Sequence, residues 1–176
     1  DDKMAEDCID RAFDLGINFI DTANVYATGK SEEVVGRALA KYRRDDYVLA
    51  TKCFFPMGKG PNDKGLSRKH IVEQCNHSLH RLGVDYIDLY QCHRYDPETP
   101  LEETLRALDD LITCGKVLYI GFSQWTAEQI SEAVSLQRSL NLDRFVSSQP
   151  YYNMTSRLIE KEIAPLCFSE GIGQIV

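Results

Sequence analysis

Six short apolar runs recur along the chain at a nearly constant spacing, and this beat limits the fold more than any other feature. They are "NFID" (18–21), "YVLATK" (47–52), "YIDLYQCH" (86–93), "VLYIGFS" (117–123), "RFVSSQ" (144–149) and "GIGQIV" (171–176). Their starts lie 29, 39, 31, 27 and 27 residues apart, close to the roughly 30 residues of a strand–helix–strand unit. The stretches between them carry helical stripes. Met4, Cys8, Ile9, Ala12 and Phe13 form one, with Gly16 as the expected stop. Val34, Val35, Ala38, Leu39 and Tyr42 form a second, behind Ser31 as the expected N-cap. Ile71, Val72, Cys75, Leu79 and Leu82 form a third, closed by Gly83. Thr99-Pro100-Leu101-Glu102 has the capping-box pattern, with Pro100 at the first helical position ahead of Leu105, Leu108 and Leu111. Thr126 and Gln129 repeat the box before Ile130, Ala133 and Val134. A last stripe, Leu158, Ile159 and Ile163, is interrupted at Pro165 and stops near Gly171.

Strands that alternate with helices and are apolar along most of their length belong to a parallel α/β sheet covered on both faces. A doubly wound sheet usually shows a glycine-rich turn after its first strand, and no turn here reads GxGxxG. The steady beat fits a (β/α)8 barrel of the TIM type, which takes about 250 residues when complete. The 176 residues therefore predict an incomplete barrel of about six βα units, a single partial domain over 1–176 that ends in mid-strand at Val176. The Pro/Gly-rich stretch 54–65 is expected to be an exposed, mobile loop.

Charge narrows the function. A net charge of −7 argues against nucleic acid or an anionic membrane surface as partner, since both require a basic face. An anionic cofactor needs only a few local cations. No apolar stretch approaches the roughly 18 residues of a membrane span, and the acidic start "DDKMAEDC" is unlike a signal peptide. The six cysteines are far apart, without CxxC or zinc-type spacing, and read as reduced thiols of a cytoplasmic protein. His77 and His80 read as part of a solvated helix face, so no metal is expected.

Chemistry in such barrels gathers at the C-terminal ends of the strands. Those ends read Asp21, Lys52, His93, Ser123 and Gln149, and Tyr26 stands five residues beyond the first. Each alone is an ordinary cap, turn or loop residue. Together, in register, they suggest a site. A phenol with a pKa near 10 is a poor proton donor at neutral pH. An ammonium about 4 Å away would favour the phenolate by up to about 4 kcal/mol at an effective dielectric near 20. Asp21 would hold Lys52 charged, and a neutral His93 would place a carbonyl oxygen beside Tyr26. Phe54, Phe55 and Trp125 follow strand ends and are expected to wall an apolar substrate pocket, with Tyr151 and Tyr152 nearer a cofactor face.

The segments "NFIDTANVY", "LATK", "YIDLYQCH", "GKVLYIGFSQW" and "SSQPYYN", in this order, resemble the motifs of the aldo-keto reductases, especially the bacterial and potassium-channel-β-subunit-like branch. The resemblance implies an oxidoreductase that reduces aldehydes or ketones to alcohols with NADPH, or less often NADH. It implies a tetrad of Tyr26 as general acid, Lys52 as its modulator, Asp21 as the partner of Lys52, and His93 as the substrate orienter. Ser123 and Gln149 match residues that hold the nicotinamide carboxamide, and Gln124 stands where the family has an Asn one methylene shorter. Family members begin with a β-hairpin and a first barrel strand, and continue to a last strand and a basic segment. This chain is therefore expected to be truncated at both ends, with open strand edges that favour self-association or a homo-oligomer. Two other readings stay open: a non-catalytic, cofactor-sensing or regulatory subunit of the same fold, and a barrel lyase using Lys52 as a Schiff-base nucleophile.

Overall fold

The computed structural model describes residues 2–176. Six parallel strands form one sheet: β1 (Phe19–Asp21), β2 (Val48–Cys53), β3 (Ile87–Cys92), β4 (Val117–Ser123), β5 (Phe145–Gln149) and β6 (Gly173–Gln174), paired strictly in chain order. Helices α1 (Asp2–Asp14), α2 (Lys30–Leu39), α3 (Arg68–Leu82), α4 (Leu101–Thr113), α5 (Ala127–Ser139) and α6 (Ile163–Glu170) alternate with them. Sequential order without a switch point is barrel topology, and the sheet is curled accordingly. Four strand spacings of about 4.8 Å would put β5 about 19 Å from β1 in a flat sheet. Instead Gln149 Nε2 on β5 donates to Asp21 Oδ2 on β1 at 3.0 Å. The result is part of a (β/α)8 barrel, as the spacing of the apolar runs predicts.

Register explains which side chains meet. Ala50 pairs with Asp21 and Leu89, Lys52 with Gln91, Gln91 with Gly121, and Ser123 with Gln149. The polar members of that series therefore share the concave face at the C-terminal end. The convex face packs on the helices, where Leu49, Ile71, Leu105, Leu108, Phe122 and Phe145 are buried. Burying each such side chain contributes roughly 1.5–3 kcal/mol. One charged group joins this layer: Glu32 of α2 is fully buried and accepts from Thr51 Oγ1 and Arg81 Nε, both at 2.6 Å.

Helix ends follow local chemistry in some places and not in others. The Thr126–Gln129 capping box forms, and Gly83 and Gly171 take left-handed conformations at the ends of α3 and α6. Ser31 does not cap α2. The cap is Gly29, at φ +92°, and the Ser31 hydroxyl lies 2.8 Å from Thr22 Oγ1 instead. The box at Thr99 does not form either, because Thr99 Oγ1 donates to Asp96 Oδ2 and Pro100 takes the cap position. The last stripe splits into a short turn, Leu158–Glu160, and α6, with Pro165 in its first turn where the missing N–H has no partner to lose. The 54–65 stretch is irregular and mostly exposed, and is closed by Met57 N donating to Asp63 O.

All six cysteines are free. Burial pushes the Cys53 and Cys75 thiols up to about 12, which leaves them protonated and inert. Among the described residues no helix is long and apolar enough to cross a membrane.

Candidate active site

A cleft of about 380 Å³ opens at the C-terminal ends of the strands. Asp21, Tyr26, His93, Ser123, Gln124 and Gln149, each singled out in the sequence, all line it. Asp21 is its hub. The carboxylate accepts from Lys52 Nζ at 2.6 Å and Gln149 Nε2 at 3.0 Å on one oxygen, and from Gln91 Nε2 at 3.3 Å on the other. Lys52 is deeply set, its side chain only 1 % exposed. Its ammonium also donates to Thr22 O at 2.8 Å. Burial pulls the lysine pKa below its usual value, and Asp21 opposes that.

Tyr26 roofs this ion pair. Lys52 Nζ lies 5.4 Å from the centre of the phenol ring, and the ring meets His93 edge to face at 5.8 Å between centroids. The turn that carries Tyr26 is strained: Ala27 and Thr28 have φ of +47° and +53°, followed by Gly29. Each non-glycine residue held there costs on the order of 1–3 kcal/mol, a cost found most often at functional sites. The lowered phenol pKa expected from Lys52 is not what this arrangement produces. The ammonium is committed to Asp21 and Thr22, and no hydrogen bond joins it to Tyr26. Burial and the Asp21 charge push the phenol above its usual value, with Arg94 pulling the other way.

His93 is 7 % exposed and its Nδ1 is buried without a partner. Burial, then the charges of Lys52 and Arg94, bring its pKa down to about 4. The imidazole is therefore neutral near pH 7. Ser123 Oγ donates to Gln149 O at 2.9 Å, and Gln124 sits exposed at the rim with φ +55°.

The aromatic wall differs in detail from the expectation. Trp125 is 2 % exposed, stacks on Phe122 and lines a separate groove beside the cleft. Phe54 packs on the core and on Phe55, and it is Phe55 that touches His93, at 4.9 Å between ring centroids. Tyr151 and Tyr152 line the cleft. Two polar residues of the site were not singled out from the sequence. Gln91, fully buried in β3, was signalled only by an amide inside an apolar run. Arg94, directly after His93, gave no periodic signal at all.

A curled parallel sheet with a charged and aromatic cleft at its strand ends defines an α/β-barrel protein with an enzyme-type site. The chain belongs to the aldo/keto reductase family, whose model matches residues 1–176. It is 47 % identical over 176 residues to a probable voltage-gated potassium channel subunit beta of Oryza sativa subsp. japonica, a match covering 98 % of this chain and 53 % of that protein. A putative voltage-gated potassium channel subunit beta of Schizosaccharomyces pombe is 44 % identical over 100 % of this chain and 52 % of its own length. Versiconal hemiacetal acetate reductase of Aspergillus parasiticus is 39 % identical over 95 % and 54 %. The chain thus spans about half the length of the curated relatives it matches.

Proposed function

We propose that this chain carries the catalytic centre of a nicotinamide-dependent carbonyl reductase, with Tyr26 as proton donor. The observation that supports this most is the meeting of a phenol, a neutral imidazole and a buried ammonium–carboxylate pair in one cleft. In this reading a substrate carbonyl enters above Lys52, with its oxygen directed at Tyr26 and His93. The Tyr26 hydroxyl proton passes to that oxygen as the carbonyl becomes an alcohol. A phenol held above its ordinary pKa can still do this, because the developing alkoxide is a much stronger base than a phenolate. His93, neutral, orients the oxygen without competing for the proton.

The cofactor when bound would supply the hydride. Residues able to hold its carboxamide are present: Ser123 Oγ can accept, Gln149 Oε1 accepts nothing among the described residues, and Gln124 offers an exposed amide. A primary carboxamide, with one acceptor and two N–H donors, complements that set. NADPH is the cofactor proposed, with NADH as the comparison.

Tyr26→Phe is expected to lower aldehyde-dependent oxidation of NADPH by about 10²- to 10⁴-fold, while NADPH fluorescence titration gives an unchanged Kd. Full activity in this variant would falsify the assignment. The names of the Oryza and Schizosaccharomyces relatives favour a second reading, in which the protein is a subunit of a potassium-channel assembly. Turnover with a simple aldehyde separates that role, taken alone, from catalysis. The Schiff-base reading is disfavoured, since Lys52 Nζ is enclosed by Asp21, Thr22 and the Tyr26 ring. Borohydride with substrate is expected to leave Lys52 unlabelled by mass spectrometry.

A further inference from the structure

Among the described residues Arg94 is the one cation at the cleft besides the buried, compensated Lys52, and the reduction chemistry does not use it. It stands at the exit of β3, immediately after His93. Its Nη1 donates to His93 O at 2.6 Å, and its guanidinium carbon lies 5.5 Å from the centre of the Phe55 ring. Phe55 in turn meets His93, and His93 meets Tyr26. These contacts tie the guanidinium to the side of the cleft that holds His93 and Tyr26. Among the described residues no carboxylate stands within ion-pair distance of it, and the acid of the cleft, Asp21, is already taken by Lys52 and two amides.

We propose that Arg94 anchors a carboxylate on the substrate, so that the cleft selects carbonyl compounds bearing an acid group near the reacting C=O. This rests on reading the cleft as a carbonyl-reduction site. The physical case is one of preorganisation. A guanidinium has five N–H donors in a rigid plane, and a bond to His93 O together with a cation–π contact to Phe55 restrains it while occupying one donor. The remaining fork matches a carboxylate, whose two oxygens can each accept. The chain as a whole carries −7, so a cation left uncompensated inside a cleft is a local reversal of the molecule's field. That Arg94 acts on both neighbours, depressing His93 and opposing the rise of Tyr26, agrees with its closeness to the reacting position.

A phosphate of the cofactor offers the same oxyanion chemistry, and the test must separate the two sources. The ratio of kcat/KM for 4-carboxybenzaldehyde over benzaldehyde is measured in the unaltered protein, Arg94→Met and Arg94→Lys. The Met variant is expected to lower the ratio at least about tenfold, the effect of one charge-assisted hydrogen bond. The Lys variant should restore part of it, since charge returns without the fork. Benzoate binding by saturation-transfer NMR needs no turnover and should be lost in Arg94→Met. Benzoate binding through Arg94 with no reduction of either aldehyde would uphold the anchor and remove the reductase reading. An unchanged ratio in Arg94→Met overturns the anchor and leaves the reductase reading intact. Weaker NADPH binding with the ratio unchanged also overturns it, assigning the guanidinium to a cofactor phosphate.

Discussion

Asp21 shows how much one side chain carries. Its two oxygens receive an ammonium and two amides from three other strands. Removing its charge would leave Lys52 as an isolated buried cation, and breaking a buried pair costs about 3–5 kcal/mol. Asp21→Asn is therefore expected to lower the urea midpoint strongly, in addition to any loss of activity. An unchanged midpoint would mean that the pair contributes no net stability. His93 makes a prediction about pH. Its folded pKa of about 4 lies below the ordinary imidazole value of 6.5, so between these the unfolded chain binds a proton that the folded chain refuses. Stability attributable to His93 is complete above about pH 6.5 and is lost as pH falls toward 4. His70, also depressed by burial, acts with the same sign. The His93→Gln variant should accordingly lose less stability than the unaltered chain between pH 7 and pH 4.5, in urea titrations at each pH. A parallel loss would show that His93 titrates normally.

Among the elements, α2 and α5 test local against tertiary control. Thr126→Ala removes the hydroxyl half of the α5 capping box, while the Thr126 N–H to Gln129 Oε1 half uses the backbone and stays. The loss is expected to cost about 1 kcal/mol, read as a shifted denaturant midpoint with the same slope. Gly36 sits inside α2, where helix propensity alone says that alanine should gain about 1 kcal/mol. A Cβ there would lie 2.5 Å from Leu82 O, a backbone atom of α3 that has no free rotamer to yield. Contact wins over propensity, so Gly36→Ala is expected to destabilise by about 1–3 kcal/mol. A stabilised variant would mean that α2 and α3 can separate freely. The same division explains which helix ends could be read in advance. The box at Thr126 involves residues three apart and was legible. Ser31 and Thr99 have the right residue types, yet a hydroxyl of Thr22 and a carboxylate of Asp96 claim them. Asp96 itself is occupied in holding Leu66 N, thirty residues earlier, a partnership that no window of the sequence displays.

At the scale of the molecule, the side of the sheet away from the cleft is apolar. β1 and β6 are the ends of the sheet, and at its opposite rim Phe19, Tyr119 and Val146 stay exposed around a hollow of about 270 Å³. An exposed apolar face of this kind favours association. Sedimentation of the 176-residue chain is expected to show species larger than the monomer that grow with concentration, and Tyr119→Lys should reduce them. A monomer at every concentration would sink that expectation.

The periodicity of the apolar runs was enough to specify parallel strands, alternating helices and barrel topology, because strand and helix periods are local properties of the chain. The polar residue at each strand end was legible for the same reason: topology alone sends those ends to one rim. The pairing of Asp21 with Lys52 was expected from the sequence and is present; what only the tertiary structure decided is how little of the ammonium that pairing leaves for Tyr26. Lys52 was expected to serve Tyr26, but desolvation makes a buried ammonium take the closest carboxylate and carbonyl. Arg94, one residue past a strand end, is held at the cleft by its bond to His93 O and its contact with Phe55, and the second of these joins loops of different strands. Electrostatic partnership depends on distances through space and on burial, and neither is written in the order of the residues.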